Sequence, residues 1–303
     1  QKHASNPVSH SPNEYRNPSF GVDCRIPWIT YHEIPPSGAL DEFYRKEVRN
    51  DYPLLGLYEL GINRLRLPLN DLIEPKTRQR LREIKTLGFE YTFYCLSTDT
   101  QRLLNTDPHA LNLIDKLELI WDGENKDEFH ETHKEIKKSL SSKILISPMW
   151  KDFGSVDHQG RHLHVIKHGF SVNNLAKAKD FFTASSANSS LWNHIDGIVC
   201  EIDVMKADNA DWKEIDQWGQ ENNMLLHGLA KSRPLSPADI ITDETMFCEE
   251  LGNLWARAKS ISDKTTFFTD SFIEVDRGYF QRSGIIDRLG NPLQTWHKLM
   301  NAK

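Results

Sequence analysis

The chain has 303 residues, of which 38% are hydrophobic and 26% charged, and its formal net charge is −6. That is enough apolar material for one large core in one principal domain, and the negative balance gives no reason to invoke a nucleic-acid backbone or an anionic membrane as partner. No apolar run approaches the roughly 18 residues needed to cross a bilayer, no signal peptide is visible, and the chain opens on Gln1, as a mature product or a fragment of something longer would.

Residues 1–28 read as an N-terminal extension. Gln1–Asn17 is rich in His, Ser, Asn and Pro and reads as irregular structure; Arg16–Tyr31 then turns apolar through Phe20, Val22, Ile26, Trp28 and Ile29, as the closing strands of an upstream domain or a simple arm capping the barrel bottom would. Across residues 29–303, short apolar runs alternate with longer amphipathic, charged stretches. The runs are Ile29–Glu33, Ile62–Asn70, Phe89–Leu96, Lys116–Asp122, Lys143–Lys151, His194–Asp203, Met224–Lys231 and Thr265–Ile273. They are rich in Ile, Leu, Phe and Tyr, as strands covered on both faces should be. Helix-like segments lie between them: Lys76–Gly88, Glu124–Leu140, Leu175–Thr183, Trp212–Asn222 and Glu244–Ser260. Regular strand–helix alternation predicts a parallel sheet, and eight units in about 270 residues predict a closed (β/α)8 (TIM) barrel of the α/β class. The longest interruption is Asp152–Asn173, after the fifth strand, where His158-Gln-Gly-Arg161 predicts a hairpin turn. Cys24, Cys95, Cys200 and Cys248 form no CxxC pair; buried, reduced thiols are expected, which leans towards a cytoplasmic setting without excluding export.

In such a barrel the chemistry belongs at the C-terminal ends of the strands. Those ends carry His32 and Glu33, then Asn70 and Asp71, then Trp121 and Asp122 on the fourth strand and Trp150 and Lys151 on the fifth. The sixth offers Glu201 and Asp203, the seventh His227 and Lys231, and the eighth Asp270. Alternation puts Glu201, Asp203 and Val199 on one face, expected to be the barrel interior, because Ile198, Cys200 and Ile202 suit the helix-covered side. Two inward acids carry a desolvation cost that implies a cationic partner, and Arg64 and Arg66 on the second strand are the expected source. These groups either fill the barrel as an ion network or form a site. Trp121 and Trp150, next to Asp122 and Lys151, are expected to stack on the apolar faces of sugar rings. His162 and His164 project the same way, as metal ligands can, but hydrogen bonding to substrate or solvent is the preferred reading, and no metal or cofactor is expected. An HxH pair on the first strand, a Gly-rich phosphate loop and a dinucleotide fingerprint are all missing from the sequence.

Three segments resemble glycoside hydrolase barrels. Phe268-Thr-Asp-Ser-Phe-Ile followed by Gly284–Pro292 is similar to their last strand and the loop leading into the final helix. Gly61-Ile-Asn-Arg-Leu-Arg resembles their second strand, and Trp121-Asp-Gly-Glu-Asn-Lys their fourth-strand acid–base segment. The resemblance implies a carbohydrate-active barrel, a hydrolase if active, taking a small-molecule or oligosaccharide ligand. Asp122 and either Glu201 or Asp203 would then serve as acid and as nucleophile or base. Glu33, Arg66, Lys151, His227, Lys231 and Asp270 would orient substrate or tune those groups. A carboxyl separation of about 5 Å would imply retention and about 6.5–9.5 Å inversion. The departures are clear. The family's Asn-Glu dyad is replaced by Asp122, Glu124 and Asn125 in another order, and the seventh strand, His227-Gly-Leu-Ala-Lys231, holds no carboxylate where the nucleophile would stand. At the other end, His3-Ala-Ser-Asn-Pro and Tyr15-Arg-Asn-Pro-Ser-Phe-Gly resemble the close of calcineurin-like metallophosphoesterases, without their GHxH motif. That resemblance implies an upstream domain in a longer chain, with the barrel as its accessory sugar-binding partner.

Overall fold

A computed structural model describes residues 17, 19–26, 28, 51–121, 125–149, 168–183, 191–205, 209–232, 244–270, 272–274, 284–287 and 289–302. Its strands are β1 (Phe20–Asp23), β2 (Arg64–Pro68), β3 (Glu90–Leu96), β4 (Lys116–Trp121), β5 (Lys143–Pro148), the two-residue β6 (Phe170–Ser171), β7 (Gly197–Asp203), β8 (Leu225–Lys231) and β9 (Thr265–Thr269). All pair in parallel in the order β5-β4-β3-β2-β1-β9-β8-β7-β6, and a further β5–β7 pairing closes the ring. The result is the eight-stranded (β/α)8 barrel expected from the alternation, with β6 as an added strip on β7.

One expected strand is corrected. The place beside β2 is filled by Phe20–Asp23, which pairs with β2 through Val22↔Leu65 and with β9 through Phe20↔Phe267. The anticipated first strand, Ile29–Glu33, lies outside the described residues. The barrel therefore begins inside the segment assigned to an extension, and Phe20–Asp23 is a barrel strand rather than the closing hairpin of an upstream domain.

Local chemistry explains the helices. In Lys126–Ser139 the Asn125 side chain accepts from the Glu128 amide at 3.2 Å, with Asp127 and Glu128 in the first turn and Lys137 and Lys138 in the last. Cap and charges both complement the helix dipole. Pro75–Lys85 starts on proline, which has no amide to waste there, and ends with Arg82 and Lys85. Among the described residues no helix is long and apolar enough to cross a membrane.

Two apolar cores result. The larger lies between strands and helices and includes Leu117, Leu119, Ile144, Ile198, Ile202, Leu226 and Phe267. A smaller cluster of Leu145, Val199, Leu229 and Phe268 sits inside the barrel. Their separation fixes which parity of each strand faces inward. Space inside is tight: a Cβ on Gly21 would stand 2.5 Å from Phe268 Cε1 and 2.7 Å from the Arg64 carbonyl. All four cysteines are buried.

Candidate functional site

The polar half of the interior is built on β1, β2, β4 and β8. Arg66 Nε donates to Glu118 Oε2 at 2.7 Å, and Nη1 donates to Asp23 Oδ2 at 2.6 Å. The remaining Glu118 oxygen lies 2.8 Å from His227 Nδ1. Strands β2, β4 and β8 are not neighbours, so these side chains can meet only across the barrel. The Arg66 and Glu118 side chains are fully buried. The Tyr94 ring lies 4.0 Å from the guanidinium carbon, adding a cation–π contact.

Electrostatics assigns the protons. Burial alone raises the Glu118 pKa, but the Arg66 charge and the His227 contact outweigh it and hold the carboxyl at about 2. For His227 burial comes first and lowers the pKa, with Glu118 pulling the other way. A neutral imidazole beside a carboxylate carries its proton on Nδ1 and donates it to Glu118. Nε2 is buried without a hydrogen-bond partner among the described residues. Beneath this layer Arg64 bonds Glu90 at 3.1 Å and Thr266 at 2.8 Å, filling the barrel floor.

The mouth is lined differently. On β7, Glu201 is half-buried and Asp203 exposed, two residues apart on the inward parity. Asp203 is the register partner of Lys231 on β8, which sets opposite charges side by side at the rim. Its Oδ1 also accepts from the Met205 amide at 3.0 Å. Asp270 follows β9, and its Oδ1 accepts from the Ser232 amide at 3.0 Å and hydroxyl at 2.7 Å, tying the end of β8 to β9. Asp71 secures the exit of β1, accepting from Ile26 N at 2.8 Å and Arg25 Nε at 3.0 Å. Burial pushes its carboxyl up to about 7 against the pull of Arg25.

Between β5 and β7 the ladder runs only through Leu145↔Gly197 and Ile146↔Ile198. Above it the returning chain enters the seam: His168 bridges Met149, Gly169 N donates to Pro148 O, and Phe170 and Ser171 pair with Cys200 and Glu201. His168 is buried, and its Nδ1 lies 2.6 Å from the Ser147 hydroxyl. This plug is the end of the long interruption after the fifth strand; Asp157, His158, His162 and His164 lie outside the described residues.

The structure brings Arg66 and His227 together and places Glu201, Asp203, Lys231 and Asp270 around the mouth. Glu33, Asp122, Trp150 and Lys151 lie outside the described residues. Two expectations are corrected. Arg66 was expected to neutralise Glu201 or Asp203, but among the described residues it hydrogen-bonds the carboxylates of Glu118 and Asp23, which lie nearer its own layer of the barrel. Trp121 was expected at the mouth, yet it belongs to the outward face of β4, 3% exposed, stacked on Phe129 at 5.2 Å and tilted against Phe181 at 5.3 Å. The parity that turns Glu118 inward turns Trp121 outward, so its ring faces the helix layer. Glu118 and Asp23 escaped the reading of strand ends; in Lys-Leu-Glu-Leu-Ile-Trp the Leu–Glu–Leu alternation was the signal.

No protein-family model matches this sequence, and no curated protein matches it. Solved structures do. A GH5-4 broad-specificity endoglucanase from Clostridium longisporum superposes with a TM-score of 0.51 at 8% identity, over 94% of this chain and 96% of that one. Thermotoga maritima Cel5A, solved with cellobiose, gives 0.50 at 11% identity over 95% and 98%. A GH2 β-galacturonidase from Eisenbergiella tayi, bound to galacturonate, gives 0.53 at 11% identity over 93% of this chain but 50% of that one. At such identities the likeness is one of fold: this chain has the barrel architecture found in those glycoside hydrolases.

Proposed function

We propose that this chain is a carbohydrate-active barrel of the glycoside hydrolase type, working at its C-terminal mouth. The observation that carries the reading is the pair on β7. Glu201 is half-buried and Asp203 exposed, on one inward face at the rim of a barrel of that architecture. Two carboxylates in unequal surroundings divide naturally into a proton donor and a base or nucleophile. Asp122, the residue after β4, is the third candidate acid. Lys231 and Asp270 border the same rim and would orient hydroxyls, while the Arg66–Glu118–His227 network holds the strands beneath. Saccharides are the ligand class because the relatives in fold were solved with cellobiose and galacturonate.

The test is a thermal-shift screen against mono- and oligosaccharides, followed by hydrolysis assays on hits. A ligand at 100 times its Kd adds about 2.7 kcal/mol of stability. Asp122→Asn, Glu201→Gln and Asp203→Asn should separate the roles, with turnover lost in the true acid and base and the fold retained. Absence of any stabilising saccharide, or unchanged turnover in all three variants, would overturn the reading. Binding without turnover would leave a sugar-binding barrel and remove the hydrolytic half.

A further inference from the structure

The helix Lys126–Ser139 docks on the barrel through Phe129, His130, His133 and Ile136. Two of these four buried residues are histidines one turn apart on the same face. Both ring nitrogens of His133 and Nε2 of His130 are buried without a hydrogen-bond partner. A third imidazole, His194 from the segment leading into β7, lies against them, its ring 5.9 Å from that of His130. Two imidazoles, His130 and His133, therefore share the buried contact between helix and barrel, with the exposed His194 at its edge.

Their charged surroundings offer little compensation for a proton. Asp196 is the acid that acts on His133, and its carboxylate already receives Lys137, Lys143 and the Ile144 amide. On the helix, Glu131 is bonded to Lys134 at 2.7 Å, and Lys126 donates to the Phe181 carbonyl. Asp127 completes the set, on the helix's exposed side. Lys134 and Lys137 add positive charge near the rings. Burying an ion without a partner is costly, so such a group stays neutral or the contact opens.

We propose that this histidine cluster is an acid-sensitive latch: neutral imidazoles let the helix Lys126–Ser139 dock, and their protonation on mild acidification releases it from the barrel wall. Burial drives the His133 pKa from 6.5 down to about 4 and lowers that of His130 as well, which agrees in direction. The sign follows. A histidine whose folded pKa lies below its unfolded value stabilises fully above about 6.5 and loses that contribution as pH falls towards 4. In that window each such group multiplies the unfolding constant by about ten per pH unit. The latch is independent of the mouth and of any saccharide.

The experiment is hydrogen exchange and thermal unfolding of the whole chain between pH 7.5 and 5. Exchange protection in residues 129–139 should be lost on acidification before that of β2–β4, and the midpoint should fall. His133→Leu places an apolar side chain where no nitrogen had a partner, so it should hold its midpoint at pH 7.5 and flatten the acid limb. Parallel pH curves in folded His133→Leu would overturn the latch. If that variant does not fold, imidazole titration by NMR on the unmodified chain decides: an apparent pKa near 6.5 for His133 would also overturn it. Among the described residues no group of three His, Cys, Asp or Glu is arranged to hold a metal. Stabilisation by zinc at pH 7.5 that vanished in His133→Leu would make a cation, not a proton, the effector and would overturn the proposal as well.

Discussion

Glu118→Gln is the sharpest probe of the barrel interior. The amide keeps the shape and can still accept from Arg66, but it removes the negative charge between a fully buried guanidinium and a buried imidazole. Breaking a buried ion pair from one side costs about 3–5 kcal/mol. The depressed pKa expresses the same interaction: a carboxyl moved from 4.5 to about 2 corresponds to about 3 kcal/mol, at roughly 1.4 kcal/mol per unit. Asp23 still bonds Arg66 in the variant, so the lower end, about 3 kcal/mol, is the expected loss. Against a usual total of about 5–15 kcal/mol this is large. Urea unfolding followed by circular dichroism measures it. The acid dependence carries the same signature. A carboxylate with a depressed pKa stabilises above its unfolded value of 4.5 and loses that contribution as pH falls towards 2. The gap between wild type and variant should therefore be full at pH 7 and shrink to about 1 kcal/mol near pH 3. A loss below about 1 kcal/mol at pH 7, or a gap that ignores pH, would refute the network as a source of stability.

Two further substitutions test the parity of the strands. Trp121→Ala should destabilise by about 3–5 kcal/mol, as expected for a large core side chain packed on Phe129 and Phe181, and leave any saccharide Kd unchanged; isothermal titration of a hit from the screen separates the two effects. Gly228→Ala would set a Cβ 2.3 Å from Phe267 Cδ1, and that ring is held edge-on against Trp212 with centroids 4.9 Å apart. Overpacking there should cost about 1–3 kcal/mol in chemical denaturation, while a neutral result would mean that β8 and β9 can slide apart.

How far the sequence foretold this structure depended on whether a signal was local. The apolar runs around Tyr91-Thr-Phe-Tyr-Cys and Gly197-Ile-Val-Cys carry their strands openly, because both faces of a parallel barrel strand are covered. Phe20-Gly-Val-Asp can be read as strand but not as a barrel strand, since glycine and aspartate there answer to distant partners: Gly21 to the Phe268 ring and Asp23 to Arg66. Ile29–Glu33 is richer in β-formers, yet strand one is chosen by pairing with β2 and β9, which propensity does not see. At the site, the face shared by Glu201 and Asp203 was legible from period two alone. The same rule, applied along β4, turns Glu118 inward and Trp121 outward; reading only the strand end missed both consequences. Which carboxylate Arg66 would choose was not legible, because side-chain height within the barrel depends on the stagger between strands.

The interior is thus divided. On one side Leu145, Val199, Leu229 and Phe268 form an apolar plug; on the other Arg66, Glu118, His227 and Asp23 are joined by hydrogen bonds. Arg66 is held in the interior by its bonds to Glu118 and Asp23, and pulling it towards a substrate would strand a carboxylate whose pKa depends on it. Lys231 on β8, in register with Asp203, is the cation that the ladder sets beside the β7 acids. A lysine tunes a carboxylate as a mobile point charge, not as the rigid fork that arginine would supply. In this barrel the buried ion network fixes the frame beneath the rim.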